Sequence, residues 1–447
     1  MPRRVEGVEP RLARGRGVDL PRHDLPDLTE QDITGSPFAI QAYQVRPDLG
    51  GEAALERVRE RLAQLGLKLM LDFVPNHMSL DHPWVQEHPE FFIEGSEQDI
   101  ANAPQNFISL ETGRGPRILA HGRDPYFPGW SDTLQLNYRH AGLRAAMTDL
   151  LRAIARRCDG VRCDMAMLVL PEIFQRTWGD TSLPRDKSTP VDTPFWPEAL
   201  ARVRQDVPGF LFMAEAYWDR EYDLQQQGFD FTYDKQLYDR LRGGGARAVR
   251  DHLKADPEYQ RRSARFLENH DEPRAAATFS WPVHQAAAVI SFLVPGLRFF
   301  HEGQFEGRKA HVSMHLGRRP AEPSDPAVQS FYRRLLLCLR RPEVHAGEWR
   351  QWDPRAAWDG NGTWDQFLVF SWVGQDDAKL LAAVNYGPAR GQCYVTPGLP
   401  GLKGKRIVLK DLMSNARFER SGDELAGKGL YLDLEPWGYA VFEVAAS

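Results

Sequence analysis

Apolar residues recur at helical spacing in the first well-patterned stretch of the chain. Leu55, Val58, Leu62 and Leu65 would share one face of a helix. The apolar run at 67–74 follows directly, and a short run without polar alternation is typical of a buried parallel strand. The pattern therefore predicts a helix followed by a buried strand.

The same alternation of helix and strand recurs as far as about residue 300. Helical spacing covers the stretches near 141–157, 197–206, 234–254 and 284–293. Five further short apolar runs have strand character: Gly160–Asp164, Phe210–Ala214, Phe229–Tyr233, Phe266–Glu268 and Gly296–Phe300. Helices that alternate with short buried strands predict a parallel α/β fold.

The pattern changes in three other parts of the chain. Residues 1–34 show neither the helical nor the strand period, so they predict an irregular N-terminal segment. The connection at 78–139 is too long for an ordinary loop and predicts a small inserted subdomain. Residues 352–447 predict an antiparallel β domain, a β-sandwich, because short strands alternate there with Gly, Pro and Asp turns. Its predicted strands are Phe367–Val373, Leu380–Asn385, Cys393–Pro397, Arg406–Leu409, Tyr431–Leu434 and Ala440–Val444.

Composition excludes several classes of partner and location. The 447 residues are 42% hydrophobic with a net charge of −5, which gives no reason to expect nucleic acid as a partner. No run of 18 apolar residues predicts a membrane span, and the basic N-terminus lacks the apolar segment of an export signal. The four cysteines form no CxxC pair, so we expect reduced, buried thiols and a cytoplasmic location. Nothing in the pattern predicts an oligomeric state.

Acidic and polar clusters stand at the carboxyl ends of four predicted strands. These clusters are 72–77, 160–164, 213–215 and 268–271. A single acidic residue at such a position is commonly a helix cap. Four clusters on separate strands, with His and Arg among them, indicate a functional site at one mouth of a barrel.

This set of residue types suits the cleavage of a glycosidic bond. That reaction needs two carboxyl groups, one to attack or activate water and one to carry a proton. His and Arg can hold sugar hydroxyls and orient carboxylates. Phosphoryl transfer is not indicated, because the sequence has no GxxxxGKS or GxxxxGKT loop.

The four clusters also carry a family resemblance. The segments DFVPNH, GVRCD, AE and ENHD resemble, in order, the four signature segments of the α-amylase family, glycoside hydrolase family 13. Gly35–Ile40 and His301–Gln304 resemble the loops that follow the family's second and eighth barrel strands. The resemblance implies a (β/α)₈ TIM-type barrel over residues 35–351, with the inserted subdomain after its third strand and the β-sandwich behind it.

The resemblance implies a role for each motif residue. Asp164 would be the nucleophile, Glu215 the general acid and base, and Asp271 the third carboxylate, which binds hydroxyls and stabilises the transition state. Substrate-binding roles fall to Phe38, Asp72, His77, Arg162 and His270. Arg162 would orient Asp164, since it lies two residues earlier on the same strand and faces the same side. The implied substrate is an α-glucan or an oligosaccharide.

The sequence departs from the family pattern in three respects. Only 34 residues precede the loop at Gly35 and none forms an apolar run, so we expect the first two barrel strands to be missing. Phe38 stands where relatives often carry a stacking tyrosine, which keeps the aromatic face and loses the hydroxyl. Asn76 stands where calcium-dependent members have a metal ligand, but one asparagine is weak support for calcium and the implied chemistry requires no cofactor.

Three functions are compatible with these residues. The leading hypothesis is a hydrolase of α-glucosidic bonds. A transglycosylase or isomerase of the same family, such as a trehalose synthase or a glucan transferase, would form the same covalent intermediate and pass it to a sugar. A non-catalytic carbohydrate-binding relative is the third, although such a protein would be free to lose the carboxylates that this chain keeps.

Overall fold

The computed structural model describes residues 27–184 and 189–446, and the chain divides into two compact units. Unit 1 comprises Met1–Tyr233 and Val312–Arg319. Unit 2 comprises Asp234–His311 and Pro320–Ser447. The predicted domain boundaries at 1–34, 35–351, 78–139 and 352–447 stay predictions.

Unit 1 contains parallel strands and two separate antiparallel strand pairs. Its strands are β1 (Met70–Phe73), β2 (His77–Ser79), β3 (Phe107–Thr112), β4 (Gly115–Ala120), β5 (Thr133–Gln135), β6 (Gly160–Cys163), β7 (Leu211–Ala214) and β8 (Phe231–Tyr233). The parallel strands follow the order β1-β6-β7-β8. They confirm the four strands predicted between residues 67 and 233, with shorter bounds.

The helices of unit 1 differ in how much apolar surface they bury. They are α1 (Gly51–Gln64), α2 (Trp84–Glu87), α3 (Glu97–Asn102), α4 (Ala141–Ala155), α5 (Pro171–Trp178), α6 (Trp196–Asp206) and α7 (Glu221–Gln226). Helix α4 buries Leu143, Met147, Leu151 and Ile154, which recur at the spacing of one helical face. These side chains join one apolar cluster with Val161 and other residues of the sheet.

Helix α1 departs from the pattern that predicted it. Its bounds agree with the prediction, but none of its residues is buried. Val58 is 51% exposed, and Leu65, just beyond the helix, is 58% exposed. The apolar side chains of α1 are therefore largely exposed to solvent in the described residues. Helical spacing predicts that these side chains share one face, but it does not predict whether another element packs against that face.

The segment 78–139 lies in unit 1 and carries its own short strands. β3 and β4 form an antiparallel hairpin in which Phe107 is opposite Ala120. β2 and β5 form a second antiparallel pair, with His77 opposite Gln135. This pairing returns the chain from 78–139 to the residues that follow β1.

Unit 2 begins with an α/β region. Its elements are α8 (Lys235–Asp239), α9 (Gly245–His252), α10 (Pro257–Arg261), β9 (Ser263–Arg265), α11 (Ala275–Thr278), α12 (Trp281–Leu293), β10 (Leu297–Arg298), α13 (Pro326–Leu339) and α14 (Pro342–Ala346). β9 and β10 pair in parallel. The stretch predicted as a helix at 234–254 is helical from Lys235 to His252, and a π-helical turn at Arg240–Gly244 separates α8 from α9.

The strand predicted at Phe266–Glu268 is also wrong in position. The observed strand β9 precedes it, at Ser263–Arg265. Arg265 is fully buried and pairs with the buried carboxylate of Asp234, so a charged residue occupies the strand interior. A search for apolar runs does not find such a strand, because a buried charged residue with a partner interrupts the run.

The C-terminal part of unit 2 is an antiparallel β structure. Its strands are β11 (Glu348–Trp352), β12 (Phe367–Val373), β13 (Lys379–Asn385), β14 (Gly391–Val395), β15 (Arg406–Asp411), β16 (Arg417–Ser421), β17 (Leu430–Leu434) and β18 (Tyr439–Ala446), with the helix α15 (Gly422–Gly427). A six-stranded sheet has the order β11-β12-β13-β18-β15-β16, and β14 pairs with β17. Both sheets contribute to one apolar core, which confirms the predicted antiparallel β domain. The strands β11 and β16 were not predicted.

Two parallel strands have one partner each among residues 27–184 and 189–446. In unit 1, β1 pairs with β6 alone, and in unit 2, β10 pairs with β9 alone. Of the predicted irregular segment, residues 1–26 lie outside the described residues. The described remainder has a 3₁₀ turn at Glu30–Asp32 and an isolated bridge from Ile33 to Leu316. The expectation that two barrel strands are missing stays a prediction.

All four cysteines are free and buried. They are Cys158 and Cys163 in unit 1 and Cys338 and Cys393 in unit 2. In the part of the chain that the structure describes, no helix is long and apolar enough to cross a membrane. The cytoplasmic location stays a prediction.

Candidate active site

Three neighbouring parallel strands of unit 1 bring the predicted residues to one edge of the sheet. Asp72 lies in β1 directly opposite Arg162 of β6. Asp164 and Glu215 follow β6 and β7, and their backbone N–H groups donate to Phe73 and Cys163 of the preceding strands, at 2.9 and 3.0 Å. Parallel strands end at the same edge, so the three carboxylates converge there.

The guanidinium of Arg162 contacts all three carboxylates of this edge. Its Nη1 lies 2.9 Å from Asp72 Oδ1 and 3.0 Å from Asp164 Oδ1. Its Nη2 lies 2.8 Å from Glu215 Oε2. Arg162, Asp164 and Glu215 are buried, whereas half of the Asp72 side chain is exposed. A planar, permanently charged fork can hold several carboxylates in one fixed geometry.

Aromatic rings and carboxylates together keep Arg162 charged. Its guanidinium carbon lies 5.4 Å from the centre of the Phe38 ring and 5.7 Å from that of Tyr233. Burial alone would lower the pKa of Arg162, but the neighbouring negative groups, Glu215 foremost, leave that pKa well above its usual value. The site therefore contains a fixed positive charge at any working pH.

Glu215 receives hydrogen bonds on both carboxylate oxygens. The Tyr217 hydroxyl donates to Oε1 at 2.8 Å, and the Met165 backbone N–H donates to Oε2 at 2.6 Å. Met165 has a positive φ of 42°, an uncommon conformation for a residue with a side chain. Met165 follows Asp164 directly, so its strained backbone places a hydrogen-bond donor for Glu215 beside Asp164.

Tyr217 was missed at the sequence level. It stands two residues after Glu215 in the segment AEAY, beyond the end of β7. A lone tyrosine after a strand carries no spacing signal, since aromatic residues are common in cores. The alternation of side chains around Glu215 was the one available indication that Tyr217 would face the same side.

His77 is buried beside aromatic and amide groups. Its ring centre lies 5.1 Å from that of Trp130, and Asn76 Nδ2 approaches its Nδ1 at 3.4 Å. Burial lowers the pKa of His77 to about 4, although a hydrogen bond with the Phe38 backbone opposes the shift. His77 is thus a neutral ring at neutral pH, able both to donate and to accept hydrogen bonds.

Buried neutral histidines predict a loss of stability in mild acid. Burial also lowers the pKa of His82 and His284 to about 4. The unfolded chain takes up these protons near pH 6.5, whereas the folded chain takes them up near pH 4, so stability falls as the pH drops through this window. We expect the thermal midpoint to fall by roughly 5 °C or more between pH 7 and 4.5.

The variant His82→Asn isolates the contribution of one ring. His82 Nδ1 accepts a hydrogen bond from the Trp84 backbone N–H at 3.1 Å, and an asparagine oxygen can take the same bond without titrating. Its midpoint should therefore fall by roughly 2 °C less than that of the unaltered protein over the same pH range. Identical pH dependence in calorimetric scans of the two proteins would contradict the assignment of His82 as a neutral ring.

The surroundings of Asn76 do not fit a calcium ligand. Its side-chain oxygen accepts a hydrogen bond from Gln135 Nε2 at 3.0 Å, and the same amide donates to the Asn76 backbone oxygen. Calcium needs six or more oxygen ligands, and here the neighbour is an N–H donor. Within residues 27–184 and 189–446, no group of three or more His, Cys, Asp or Glu side chains could hold a metal ion.

The remaining predicted residues, His270 and Asp271, belong to unit 2. His270 Nε2 lies 3.2 Å from Asp271 Oδ2, and about a third of each side chain is exposed. The buried side-chain oxygen of Asn269 accepts from the Asp271 N–H at 2.9 Å, which fixes the turn after β9. Glu268, also buried, contacts Arg274 at 2.6 Å and so holds the start of the same segment.

Two carboxyl groups that follow neighbouring parallel strands are the kind of pair that cleavage of a glycosidic bond requires. The family model for the α-amylase catalytic domain matches residues 36–322. This chain therefore belongs to the α-amylase family of glycoside hydrolases.

The curated relatives that match this chain are named for different activities. The chain is 26% identical over 381 residues to α-amylase MalA of Haloarcula japonica, covering 82% of this chain and 49% of the relative. It is 35% identical over 127 residues to an α-1,4-glucan:maltose-1-phosphate maltosyltransferase of Salinibacter ruber, covering 24% of this chain and 19% of that protein. The chain spans about half the length of the longer-matched curated relatives.

Solved structures show the same fold. An α-amylase from Lactobacillus plantarum aligns with a TM-score of 0.64 at 21% identity, covering 93% of this chain and 88% of that one. The maltogenic α-amylase AmyB from Thermotoga neapolitana aligns with a TM-score of 0.63 at 20% identity, covering 92% and 83%. The fold is thus that of the α-amylases, a TIM-type barrel with a C-terminal β domain.

Proposed function

We propose that the protein is a retaining α-glycoside hydrolase that cleaves α-glucosidic bonds in α-glucans or maltooligosaccharides. The observation that carries the proposal is the arrangement of Asp164 and Glu215. The two buried carboxylates follow neighbouring strands and contact the same guanidinium, that of Arg162. Retaining enzymes need two such groups about 5–5.5 Å apart, one on each side of the scissile bond.

In the first step Asp164 attacks the anomeric carbon of the substrate. A bond forms between its carboxylate oxygen and that carbon, while the bond to the glycosidic oxygen breaks. Glu215 gives its proton to the departing oxygen, so the leaving sugar departs as a neutral alcohol. Arg162, 3.0 Å from Asp164 Oδ1, orients the attacking carboxylate.

In the second step water releases the sugar from Asp164. Glu215, now ionised, takes a proton from the water, whose oxygen attacks the anomeric carbon and displaces the carboxylate. The hydrogen bonds from Tyr217 and from the Met165 N–H, at 2.8 and 2.6 Å, hold the Glu215 carboxylate in place. The two inversions leave the product with the α configuration of the substrate.

The motif resemblance supports roles for the other residues. Asp271 is proposed as the third carboxylate, and His270 and His77 as ligands of sugar hydroxyls. Phe38 offers an aromatic face beside Arg162. The half-exposed Asp72 contacts the buried Arg162, and we propose that Asp72 helps to position the guanidinium. The names of the curated relatives, which include α-amylases and an α-glucosidase, support α-linked glucose as the substrate unit.

The stereochemistry of the first product tests the mechanism. Maltooligosaccharide hydrolysis followed by ¹H NMR from the first minutes should show the α-anomer of the new reducing end before mutarotation mixes the anomers. The retained configuration is expected because the sugar is inverted once by Asp164 and once by water. A β-anomer formed first would show a single displacement and would overturn the assignment of Asp164 as nucleophile.

Transfer to a sugar is the second candidate function, and the maltosyltransferase among the relatives supports it. The same intermediate on Asp164 would then be released by a sugar hydroxyl in place of water. Chromatography after incubation with maltooligosaccharides, maltose, sucrose and trehalose separates the candidates. Net release of glucose or short sugars supports hydrolysis, whereas chain redistribution or isomer formation supports transfer. Binding without turnover would support the non-catalytic reading.

A further inference from the structure

The segment 268–275 of unit 2 carries His270 and Asp271 between two buried ends. Its first residue, Glu268, is 1% exposed, and Glu268 Oε2 accepts a hydrogen bond from the Ala275 backbone N–H at 2.7 Å. One buried carboxylate thereby joins the two ends of the segment. The side chains of His270 and Asp271 are about a third exposed. Their positions therefore depend on how the buried ends are held.

Arg274 connects these ends to the segment 301–304, which follows β10 in the same unit. The Arg274 side chain is 7% exposed. Its Nη1 donates to Glu268 Oε1 at 2.6 Å, and its Nη2 donates to the Glu302 backbone oxygen at 2.8 Å. A guanidinium is permanently charged, and its nitrogens lie in one fixed plane. The two bonds therefore set the two segments at a fixed distance from each other.

His301 adds a second contact between Arg274 and the segment 301–304. Its Nδ1 contacts Arg274 Nη1 and accepts from it, because a guanidinium can only donate. Glu268 Oε1 lies 3.2 Å from the same Nδ1, so Nη1 serves two acceptors that would otherwise repel each other. The His301 backbone N–H donates to the buried Gln304, whose amide donates to the hydroxyl of the buried Tyr332 at 2.8 Å. The partners of Arg274 are thus themselves fixed by buried groups.

The backbone at Gly303 leaves room for the guanidinium of Arg274. Gly303 has a φ of 88°, in the left-handed region that favours glycine. A Cβ atom at this position would lie 2.3 Å from Arg274 Nη2, closer than two such atoms can approach. A side chain at Gly303 would therefore displace the guanidinium without removing its charge.

We propose that Arg274 is a positioning residue, which sets His270 and Asp271 for the substrate through the segment 268–275. The proposal rests on the proposed function, in which Asp271 is the third carboxylate. Arg274 is buried and bonded to protein groups, so its effect on the reaction passes through the segment that it holds. The buried Asn269 continues this support, because its side-chain oxygen accepts from the Asp271 backbone N–H.

The kinetics of Arg274→Lys provide the first test. An ammonium cannot donate to Glu268 and to the Glu302 oxygen in the geometry of the guanidinium, so the segment should lose its fixed position. On maltoheptaose, kcat should fall by about tenfold or more while KM changes by less than about threefold. The loss should fall on kcat because Asp271 is proposed to stabilise the transition state.

A double-mutant cycle with Asp271→Asn separates positioning from general damage. Asp271→Asn alone should lower kcat by about 100-fold or more. If Arg274 acts through Asp271, adding Arg274→Lys to this variant should lower kcat by less than about twofold further. Losses that simply multiply would show that the two residues act independently and would overturn the proposal.

Arg250 offers a matched control in the same unit. Its side chain is also 7% exposed, and it donates to the backbone oxygens of Asp365 and Phe367, each at 3.0 Å. Arg250→Lys should lower the thermal midpoint about as much as Arg274→Lys does and keep kcat within about twofold of the wild-type value. An equal loss of kcat in Arg250→Lys would show that lost stability explains both results and would overturn the proposal.

Hydrogen exchange keeps the test independent of the proposed function. The backbone amides of 268–275 should exchange about tenfold faster in Arg274→Lys and in Gly303→Ala, and at the wild-type rate in Arg250→Lys. Mass spectrometry of peptic peptides from the intact protein measures these rates. If the wild-type protein turns over no maltooligosaccharide, the proposed function fails and the exchange rates alone decide whether Arg274 holds the segment. Unchanged exchange of 268–275 in Arg274→Lys would overturn the positioning role.

Discussion

Replacing Asp164 by asparagine should lower kcat/KM on maltooligosaccharides by about 10⁴-fold or more, because the amide cannot form the glycosyl ester. The substitution nearly preserves volume, so the fold should persist, although the contact with Arg162 loses its charge. In Asp164→Gly, azide should restore turnover of an activated α-glucosyl substrate and yield the β-glucosyl azide, since loss of the side chain leaves room for the anion on the face that Asp164 occupied. Steady-state kinetics and product NMR provide the measurements.

A surface carboxylate of the same unit provides the control for Asp164. Asp149→Asn removes the charge of an exposed side chain of α4 that pairs with Arg152. Such surface pairs contribute little to stability, so activity should stay within about twofold. An Asp164→Asn protein that keeps more than about a tenth of the wild-type rate would assign the nucleophile elsewhere.

Replacing Arg162 by lysine should lower kcat by about 100-fold or more and lower the thermal midpoint by roughly 5 °C or more. An ammonium cannot reproduce the fork that meets Asp72 and Asp164 through one nitrogen and Glu215 through the other. The buried carboxylates would lose part of their compensation, and an incompletely paired buried charge is strongly destabilising. Stopped activity assays and calorimetry measure the two effects.

The pH profile distinguishes positioning by Arg162 from a purely structural role. Without the guanidinium, the two catalytic carboxylates repel each other more strongly, so the acid limb of the profile should move to higher pH. Arg152→Lys, which conserves the charge of an exposed pair, should leave the profile unchanged. A profile of wild-type shape in Arg162→Lys, merely scaled down, would show that Arg162 does not tune the carboxylates.

The strands of the β domain could be predicted closely because their buried residues form apolar runs in the sequence. The predicted strand Phe367–Val373 has the observed bounds, and nearly all its residues are buried. Its partner was predicted from Leu380 and begins one residue earlier, at Lys379. Long apolar runs between turn residues leave few alternative registers, so local pattern and tertiary structure agree there.

Two differences between prediction and structure have separate causes, a buried ion pair and a run of glycines. β9 contains the buried Arg265, whose charge is balanced by Asp234, and no apolar run could reveal that pair. The helix at 234–254 contains three consecutive glycines, and there the backbone adopts a π-helical turn. The first difference depends on a charged partner outside the strand, whereas the second falls where glycine weakens a regular helix.

Within the site, motif residues could be anticipated and their supporting contacts could not. The signature segments placed Asp72, Arg162, Asp164 and Glu215 at strand ends, and the structure brings these four together. Tyr217 lay outside every motif although its hydroxyl donates to Glu215. The spacing of two residues suggests a shared side for Tyr217 and Glu215, but beyond the end of β7 it does not specify which atoms meet.

Chemical labelling of the four buried thiols would report local or global unfolding of the chain. Thiols react through the thiolate, and burial raises the pKa of Cys158 to about 11 and that of Cys393 to about 12. An alkylating reagent can therefore modify these thiols only after local or global unfolding exposes them. Since Cys158 and Cys163 belong to unit 1, and Cys338 and Cys393 to unit 2, peptide mapping of the labelled thiols times the unfolding of each unit separately.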